Sequence, residues 1–139
     1  MGKAAGPMPH AVLVAALAAV GLGISAYIWF KQVTTGPVLC IGRGCATVIR
    51  SRFGRMLAIP NGAWGIAYFG GIGVAAALAT LHPAWAPSLN PLGLAASTIA
   101  LGLHAYLTYL QLLVLRALCS WCLASAALTL AILLLLTSG

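Results

Sequence analysis

The chain has no acidic residues: none of its 139 residues is Asp or Glu. This absence excludes paired-carboxylate glycoside hydrolysis, an Asp-containing catalytic triad and a carboxylate cage for calcium or magnesium. Proton transfer must therefore use thiols, histidines, tyrosines, water or a substrate. Charge of either sign is scarce, at 5% of residues. The formal net charge of +7 comes from Lys and Arg alone.

Hydrophobic residues make up 63% of the chain, and its mean hydropathy is +1.08. This composition lies outside the range of soluble globular proteins. The few cations flank long apolar segments, which favours contact with anionic lipid headgroups over contact with nucleic acid. The composition is therefore that of an integral membrane protein.

Four apolar segments are long enough to cross a membrane, since a hydrocarbon core of ~30 Å needs about 20 residues of helix. They cover about residues 11–30, 59–81, 92–115 and 118–137, and none contains an internal charge. The first segment ends in Tyr27-Ile28-Trp29-Phe30 rather than a small-residue cleavage site, so we expect an uncleaved span. The sequence predicts an all-α integral membrane four-helix bundle, with residues 1–139 forming a single domain.

The segment at about residues 31–58 is more polar than the rest and joins the first two spans. Within it Ile49, Phe53, Met56 and Leu57 recur at helical spacing, while the arginines fall largely elsewhere. The pattern is typical of a short amphipathic helix on the membrane surface, and an irregular solvated loop is the alternative.

The four cysteines form two pairs that topology places on one side of the membrane. Cys40 and Cys45 lie in the loop after the first span, and Cys119 and Cys122 begin the fourth span. Both positions lie on the same face in any four-span arrangement. The loop pair can therefore reach the second pair.

The spacing of Cys119 and Cys122 suits thiol–disulfide exchange. The two residues lie one helical turn apart, at a helix start where unsatisfied N–H groups favour a thiolate. Arg116 adds positive charge, whereas burial in an apolar bundle opposes ionisation. Mixed-disulfide chemistry between the two pairs is the leading interpretation.

Other uses of the same cysteines remain open. A structural disulfide within Cys119-Ser-Trp-Cys122 closes almost no loop and stabilises little. A zinc site of four thiolates normally has two closely spaced cysteine pairs, but Cys40 and Cys45 have four residues between them. Unrelated buried thiols are the third alternative.

A relay of this kind needs a terminal electron acceptor. The sequence lacks a recognisable haem motif, nucleotide fingerprint or flavin signature, so a lipid-soluble quinone is the expected class. Asn61, Trp64 and Tyr68 share one face of the second span, and Tyr109 follows Tyr106 on the third. Interfacial aromatics and helix packing are the alternative explanation. For Asn61 the functional interpretation leads, since polar groups within spans often mark sites.

Two further patterns concern helix packing. The second span is rich in glycine, which predicts close approach to a neighbouring helix. His104 and Gln111 share another face of the third span, and we expect them to form hydrogen bonds between helices.

Together these residues resemble the vitamin K epoxide reductase family in its short bacterial and archaeal form. Four elements carry the resemblance, and their order covers nearly the whole chain. They are the loop cysteine pair, Ile59-Pro60-Asn61 followed by Gly65 and Tyr68, Tyr106-Leu107 leading to Gln111, and the final Cys119-Ser-Trp-Cys122.

The resemblance implies a four-helix bundle around a quinone of the ubiquinone or menaquinone type. It also implies that the protein re-oxidises a thioredoxin-like partner. By position, Cys40 would form the mixed disulfide with the partner, and Cys45 would attack the disulfide at Cys119. Cys122 would lie beside the quinone, with Asn61 hydrogen-bonded to a quinone oxygen.

Two departures limit the resemblance. Ala126 stands where the vertebrate enzymes carry a quinone-contacting tyrosine, so neither epoxide reduction nor that second hydrogen bond is implied. No thioredoxin-like domain follows Gly139 in this sequence, so we expect the partner to be a separate protein.

The basic residues predict a membrane orientation. Six of the seven lie on the cysteine side, and only Lys3 lies on the other. The positive-inside rule then favours a cytoplasmic face for the cysteines. The extracytoplasmic face, usual in the family, is the alternative. Cytosolic disulfide formation is documented for hyperthermophiles. The six are Lys31, Arg43, Arg50, Arg52, Arg55 and Arg116.

Overall fold

The structure, a computed structural model, describes residues 10–34, 36–38, 40, 44–50, 55–56, 59–117 and 119–138. Its elements follow in chain order. They are α1 (Ala11–Val33), α2 (Cys45–Ile49), β1 (Arg55–Met56), β2 (Ile59–Pro60), α3 (Asn61–Leu81), a 3-10 turn (Pro83–Trp85), α4 (Ala86–Tyr109), a π-helical turn (Leu110–Val114) and α5 (Ser120–Thr137).

Four of the described helical segments are long and apolar enough to cross a membrane, which confirms the predicted all-α bundle. They are Ala11–Val33, Asn61–Leu81, Pro83–Val114 and Ser120–Thr137. The third begins earlier than the predicted residue 92, because prolines do not prevent a helix from starting there. Pro83 and Pro87 occupy first-turn positions, where a missing N–H breaks no helical bond. Pro91 lies inside α4, as prolines in membrane helices can.

The four long helices pack as a closed ring, in which α1 contacts α3 and α5, and α4 contacts the same two. Glycine sets the closest approach, as the sequence predicted. A Cβ on Gly62 would lie 2.5 Å from the backbone nitrogen of Trp29. A Cβ on Gly21 would collide with the Phe69 ring. Small residues thus bring α1 and α3 almost into backbone contact.

The predicted amphipathic helix around residues 49–57 is wrong in position. Among the described residues of this loop the helix is α2, which ends at Ile49, and Met56 lies in β1, paired with Ile59 of β2. Phe53 and Leu57 lie outside the described residues. The physical reason is burial: α2 turns Cys45, Val48 and Ile49 into the bundle, with exposed fractions of 1%, 9% and 3%. A surface helix would leave these side chains at the membrane interface.

Arg50 ties this loop to the end of α1. Its Nε donates to the Lys31 carbonyl at 3.2 Å. Its terminal nitrogen donates to the carbonyls of Thr34 and Gly36 at 3.2 and 2.9 Å. A cation here also faces the negative end of the α1 dipole. The arginine thus holds the start of the cysteine loop against the bundle.

Candidate functional site

The loop cysteines are joined to each other. Cys40 and Cys45 form a disulfide with their Cα atoms 5.9 Å apart. Cys45 is the first residue of α2 and is buried, whereas Cys40 is half-buried. The more accessible sulfur of this pair therefore belongs to Cys40.

The second pair is reduced, and it begins α5. Cys119 is the N-cap residue of this helix, and its sulfur accepts the backbone N–H of Cys122 at 3.2 Å. A hydrogen bond from the Cys122 thiol and those from the backbone N–H groups of Cys122 and Trp121 lower the pKa of Cys119, although burial opposes them. The hydrogen bonds therefore outweigh burial at Cys119, a balance that the sequence left open, and the largest of them comes from the Cys122 thiol rather than from the helix start.

Gln111 fixes Cys119 from the end of the preceding helix. Its Oε1 accepts the Cys119 backbone N–H at 2.9 Å, and the side chain is 2% exposed. The π-helical turn places it there, with Leu115 N–H bonded to the Leu110 carbonyl at 2.8 Å. Arg116, with φ of 51° in the left-handed region, then reverses the chain. The expectation that Gln111 forms a hydrogen bond outside its own helix is confirmed.

The two pairs meet in one buried cluster. Cys45 and Cys119 belong to its core, and Cys40 and Cys122 pack against it. The Ser120 hydroxyl lies 3.3 Å from the Cys45 sulfur and 3.6 Å from the Cys40 sulfur. The structure thus brings together all four predicted cysteines. Sequence reasoning missed Ser120, because nothing in the motif shows on which side its hydroxyl falls.

A cavity of about 450 Å³ opens beside the second pair, between helices from all four spans. Cys122 lines it, as do Asn61, Trp64 and Tyr68 of α3, which the sequence placed on one face. The Tyr68 hydroxyl is hydrogen-bonded to Ser97 Oγ at 2.8 Å. The walls are mostly apolar, with a smaller number of polar side chains among them. Such a cavity suits a mostly apolar ligand with a few hydrogen-bonding groups.

Gln32 sets the wall of the cavity where α3 begins. Its Oε1 accepts the Gly62 N–H at 3.1 Å, and its Nε2 donates to the Ile49 carbonyl at 3.3 Å. The first N–H groups of a helix lack acceptors within the helix, and Gln32 Oε1 supplies an acceptor for one of these groups. Gln32 thereby ties α1, α2 and the start of α3 together next to Asn61.

Tyr109 does not line this cavity. It is 53% exposed and belongs to a separate apolar groove between α4 and α5, together with Ala126. The helical period explains the difference, because residues 104, 107, 108 and 111 carry the cavity-facing side of the same segment. Ala126 likewise lines the separate groove.

Ser125 contributes a polar atom that sequence reasoning also missed. It lies one helical turn after Cys122, lines the cavity and is 4% exposed. Its Oγ is buried and has no hydrogen-bond partner among the described residues. A buried hydroxyl without a partner costs free energy unless a ligand forms a hydrogen bond with it. The Ser125 hydroxyl can therefore form a hydrogen bond with a ligand in the cavity.

Two comparisons with known proteins bear on this site. A search of curated proteins finds no match to the chain. A family model described as the vitamin K epoxide reductase family matches residues 12–137, which include all four cysteines and all but the first residue of the four long helices. The chain therefore belongs to the vitamin K epoxide reductase family.

Proposed function

We propose that this protein is a membrane thiol:quinone oxidoreductase that re-oxidises a thioredoxin-like partner for protein disulfide formation. Family membership and four spanning segments establish a multi-pass membrane oxidoreductase in general terms. The observation that carries the finer proposal is the meeting of both cysteine pairs in one buried cluster, one member of which, Cys122, lines the cavity. Two pairs in contact allow an electron pair to move from one to the other.

The relay begins at the loop disulfide. A partner thiolate attacks the Cys40 sulfur, forms a mixed disulfide and releases Cys45 as a thiolate. The partner's second thiol then resolves this mixed disulfide and releases Cys40. The partner attacks Cys40 rather than Cys45 because Cys40 is only half-buried, whereas Cys45 is buried.

The electron pair then moves to the second cysteine pair. Cys45 attacks the Cys119 sulfur of the oxidised pair and releases Cys122. Cys40 attacks Cys45, which closes the loop disulfide again and releases Cys119. The lowered pKa of Cys119 makes it a good leaving group in this step. The arrangement described above, with the loop pair oxidised and Cys119 and Cys122 reduced, corresponds to the end of this transfer.

The residues of the cavity fit a quinone as terminal acceptor. When bound, a ubiquinone- or menaquinone-type quinone supplies a two-electron, two-proton acceptor for the Cys119–Cys122 pair. Asn61 lines the cavity and would donate a hydrogen bond from its amide nitrogen. The orphaned Ser125 hydroxyl would donate another. Trp64, 37% exposed, would cover the ring from the rim of the cavity. Tyr68 would present its ring, since its hydroxyl is bonded to Ser97.

Quinone reduction tests this proposal directly. The protein in lipid nanodiscs is mixed with a reduced thioredoxin-like protein and a short-chain quinone, and quinone absorbance is followed. We expect reduction that depends on the partner and is lost in Cys122→Ala. Ser138→Ala, a substitution at the far end of α5, serves as the control and keeps the activity. Stoichiometric zinc without such activity would reverse the interpretation.

Trapping identifies the partner. In Cys45→Ala, Cys40 is a thiol, and its thiolate attacks the disulfide of an oxidised partner, with the electron pair going to the partner's second sulfur. Because Cys45 can no longer displace the partner from Cys40, the mixed disulfide accumulates and is captured by acid quenching and alkylation. We expect the captured protein to carry a thioredoxin-like CxxC joined to Cys40. Capture through Cys119 or Cys122 instead would contradict the assigned order.

The membrane orientation completes the proposal: the cysteines face the cytoplasm. The support is the excess of Lys and Arg on the cysteine side. Arg50 and Arg116 of this set are exposed beside the cysteine cluster. Because four spans place the C-terminus opposite to the cysteines, a topology reporter after Gly139 is expected outside the cytoplasm. A cytoplasmic reporter would contradict this orientation and favour the extracytoplasmic alternative.

A further inference from the structure

Ser120 is in contact with the sulfurs of the other cysteine pair. It belongs to the Cys119–Cys122 motif by sequence, yet its hydroxyl lies 3.3 Å from the Cys45 sulfur and 3.6 Å from that of Cys40. Sulfur atoms in a disulfide carry no hydrogen, so Ser120 must be the donor in these contacts. The shorter contact directs the hydroxyl hydrogen to Cys45.

The surroundings make this hydrogen bond significant. Cys45 is 1% exposed and packs among Ile28, Val48 and Ile49, so water cannot replace a lost donor. A sulfur that leaves a disulfide becomes a thiolate, and an ionised acceptor binds a donor about twice as strongly as a neutral one. The Ser120 hydroxyl therefore stabilises the opened loop pair more than the closed one.

We propose that Ser120 is a catalytic residue of the relay, which donates a hydrogen bond to Cys45 as the loop disulfide opens at Cys40. The inference rests on the proposed thiol–disulfide relay and adds a residue to it. In the step concerned, the attacking thiolate forms a bond to the Cys40 sulfur while the Cys40–Cys45 bond breaks. The bonding electron pair goes to the Cys45 sulfur, which carries the negative charge toward Ser120. No other oxidant or reductant enters this step.

The same contact also holds the two pairs in register. Ser120 directly follows Cys119, so a Cys45 thiolate bonded to its hydroxyl stays next to the sulfur that it attacks. The other titratable groups of the cluster are the thiols of Cys40, Cys119 and Cys122. The Ser120 hydroxyl thus does not titrate itself, and its hydrogen bond to Cys45 strengthens when that sulfur becomes negatively charged.

The test isolates the loop pair in the full-length chain. Cys119→Ser with Cys122→Ala keeps an N-cap oxygen for α5 and leaves one disulfide, that of the loop. The probe is dithiothreitol, and opening of the disulfide is followed by alkylation and mass spectrometry. In this background we expect Ser120→Ala to slow opening about tenfold, equivalent to ~1.4 kcal/mol. This is near the low end of a hydrogen bond to a charged group.

A second pair of variants separates the hydroxyl from its role in packing. Ser120→Thr keeps the hydroxyl. Ser120→Val has the shape of the threonine variant but carries a methyl group in place of the hydroxyl. We expect Thr to retain the parent rate and Val to be slow, with the equilibrium for reduction by dithiothreitol shifted toward the disulfide in Val. Ser138→Ala is the matched serine control on the same helix and should change neither quantity.

Equal rates and equilibria for Thr and Val, within twofold, would overturn the role of Ser120. The assay contains no quinone and no partner protein. A negative result for Ser120 therefore does not contradict the proposed quinone reduction. A negative result in the quinone assay does not contradict a role of Ser120 in opening the loop disulfide.

Discussion

Replacing Gln111 with leucine should loosen the start of α5. Gln111 is 2% exposed and accepts the backbone N–H of Cys119, which is itself fully buried. Leucine is similar in size, so the substitution leaves little cavity and mainly removes the acceptor. The Cys119 N–H then lacks a partner in a site that water does not reach, a state that costs roughly 1–3 kcal/mol. The folded protein should lose about that much stability.

Hydrogen exchange detects this change most directly. Deuterium uptake by the peptide that contains Cys119 should rise in Gln111→Leu, because its N–H no longer has its acceptor. Chemical unfolding in detergent, followed by tryptophan fluorescence, should show the loss of free energy. Thr98→Val provides the comparison on α4, since its exposed hydroxyl bonds to the Leu94 carbonyl of its own helix.

Unchanged exchange at Cys119, with the free energy of unfolding within about 0.5 kcal/mol of wild type, would refute this reasoning. It would mean that the N–H finds another acceptor or that the helix start is held by other contacts. A loss of equal size in Thr98→Val would also refute it. The loss would then follow from any polar-to-apolar change in the span Pro83–Val114.

Three other perturbations test further parts of the structure. Gly62→Ala should destabilise the bundle by roughly 1–3 kcal/mol in chemical unfolding, because its Cβ meets the Trp29 backbone. Gly71→Ala, with open space at its Cβ, should be neutral or stabilising, and equal losses would contradict the close approach. Cys122→Ala should raise the pKa of Cys119, since it removes the donated thiol hydrogen bond. The pH titration of thiolate absorbance should then move to higher pH, and an unmoved titration would exclude that cause. Ser125→Ala should stabilise the quinone-free protein by up to about 1–3 kcal/mol, because it removes an unpartnered buried hydroxyl. The same substitution should weaken binding of a short-chain quinone, and tighter binding would contradict the donor role.

The sequence predicts the bundle well because its information is local. Runs of apolar residues define the spans, and the topology of four spans decides which cysteines share a membrane face. The helical period also groups Asn61, Trp64 and Tyr68 on one face of the second span, and all three line the cavity. These features depend on composition and spacing, which any reader of the chain can count.

The errors and omissions are tertiary in origin. Ile49 and Met56 fit a helical period, but α2 ends at Ile49 and Met56 pairs with Ile59, because burial of Cys45 and Val48 decides where the helix forms. The π-helical turn at Leu110–Val114 and the left-handed Arg116 depend on chain reversal before α5. The position of the Ser120 hydroxyl depends on where the loop docks. None of these has a local signal.

A single-turnover reaction tests the proposed electron transfer to quinone most directly. The protein in nanodiscs is prepared with the loop disulfide closed and with Cys119 and Cys122 reduced, and is then mixed with quinone without oxygen. We predict that one quinone is consumed for each Cys119–Cys122 disulfide formed, as absorbance and peptide mass spectrometry would show. Quinone loss without that disulfide, or a stable dithiol in excess quinone, would contradict it.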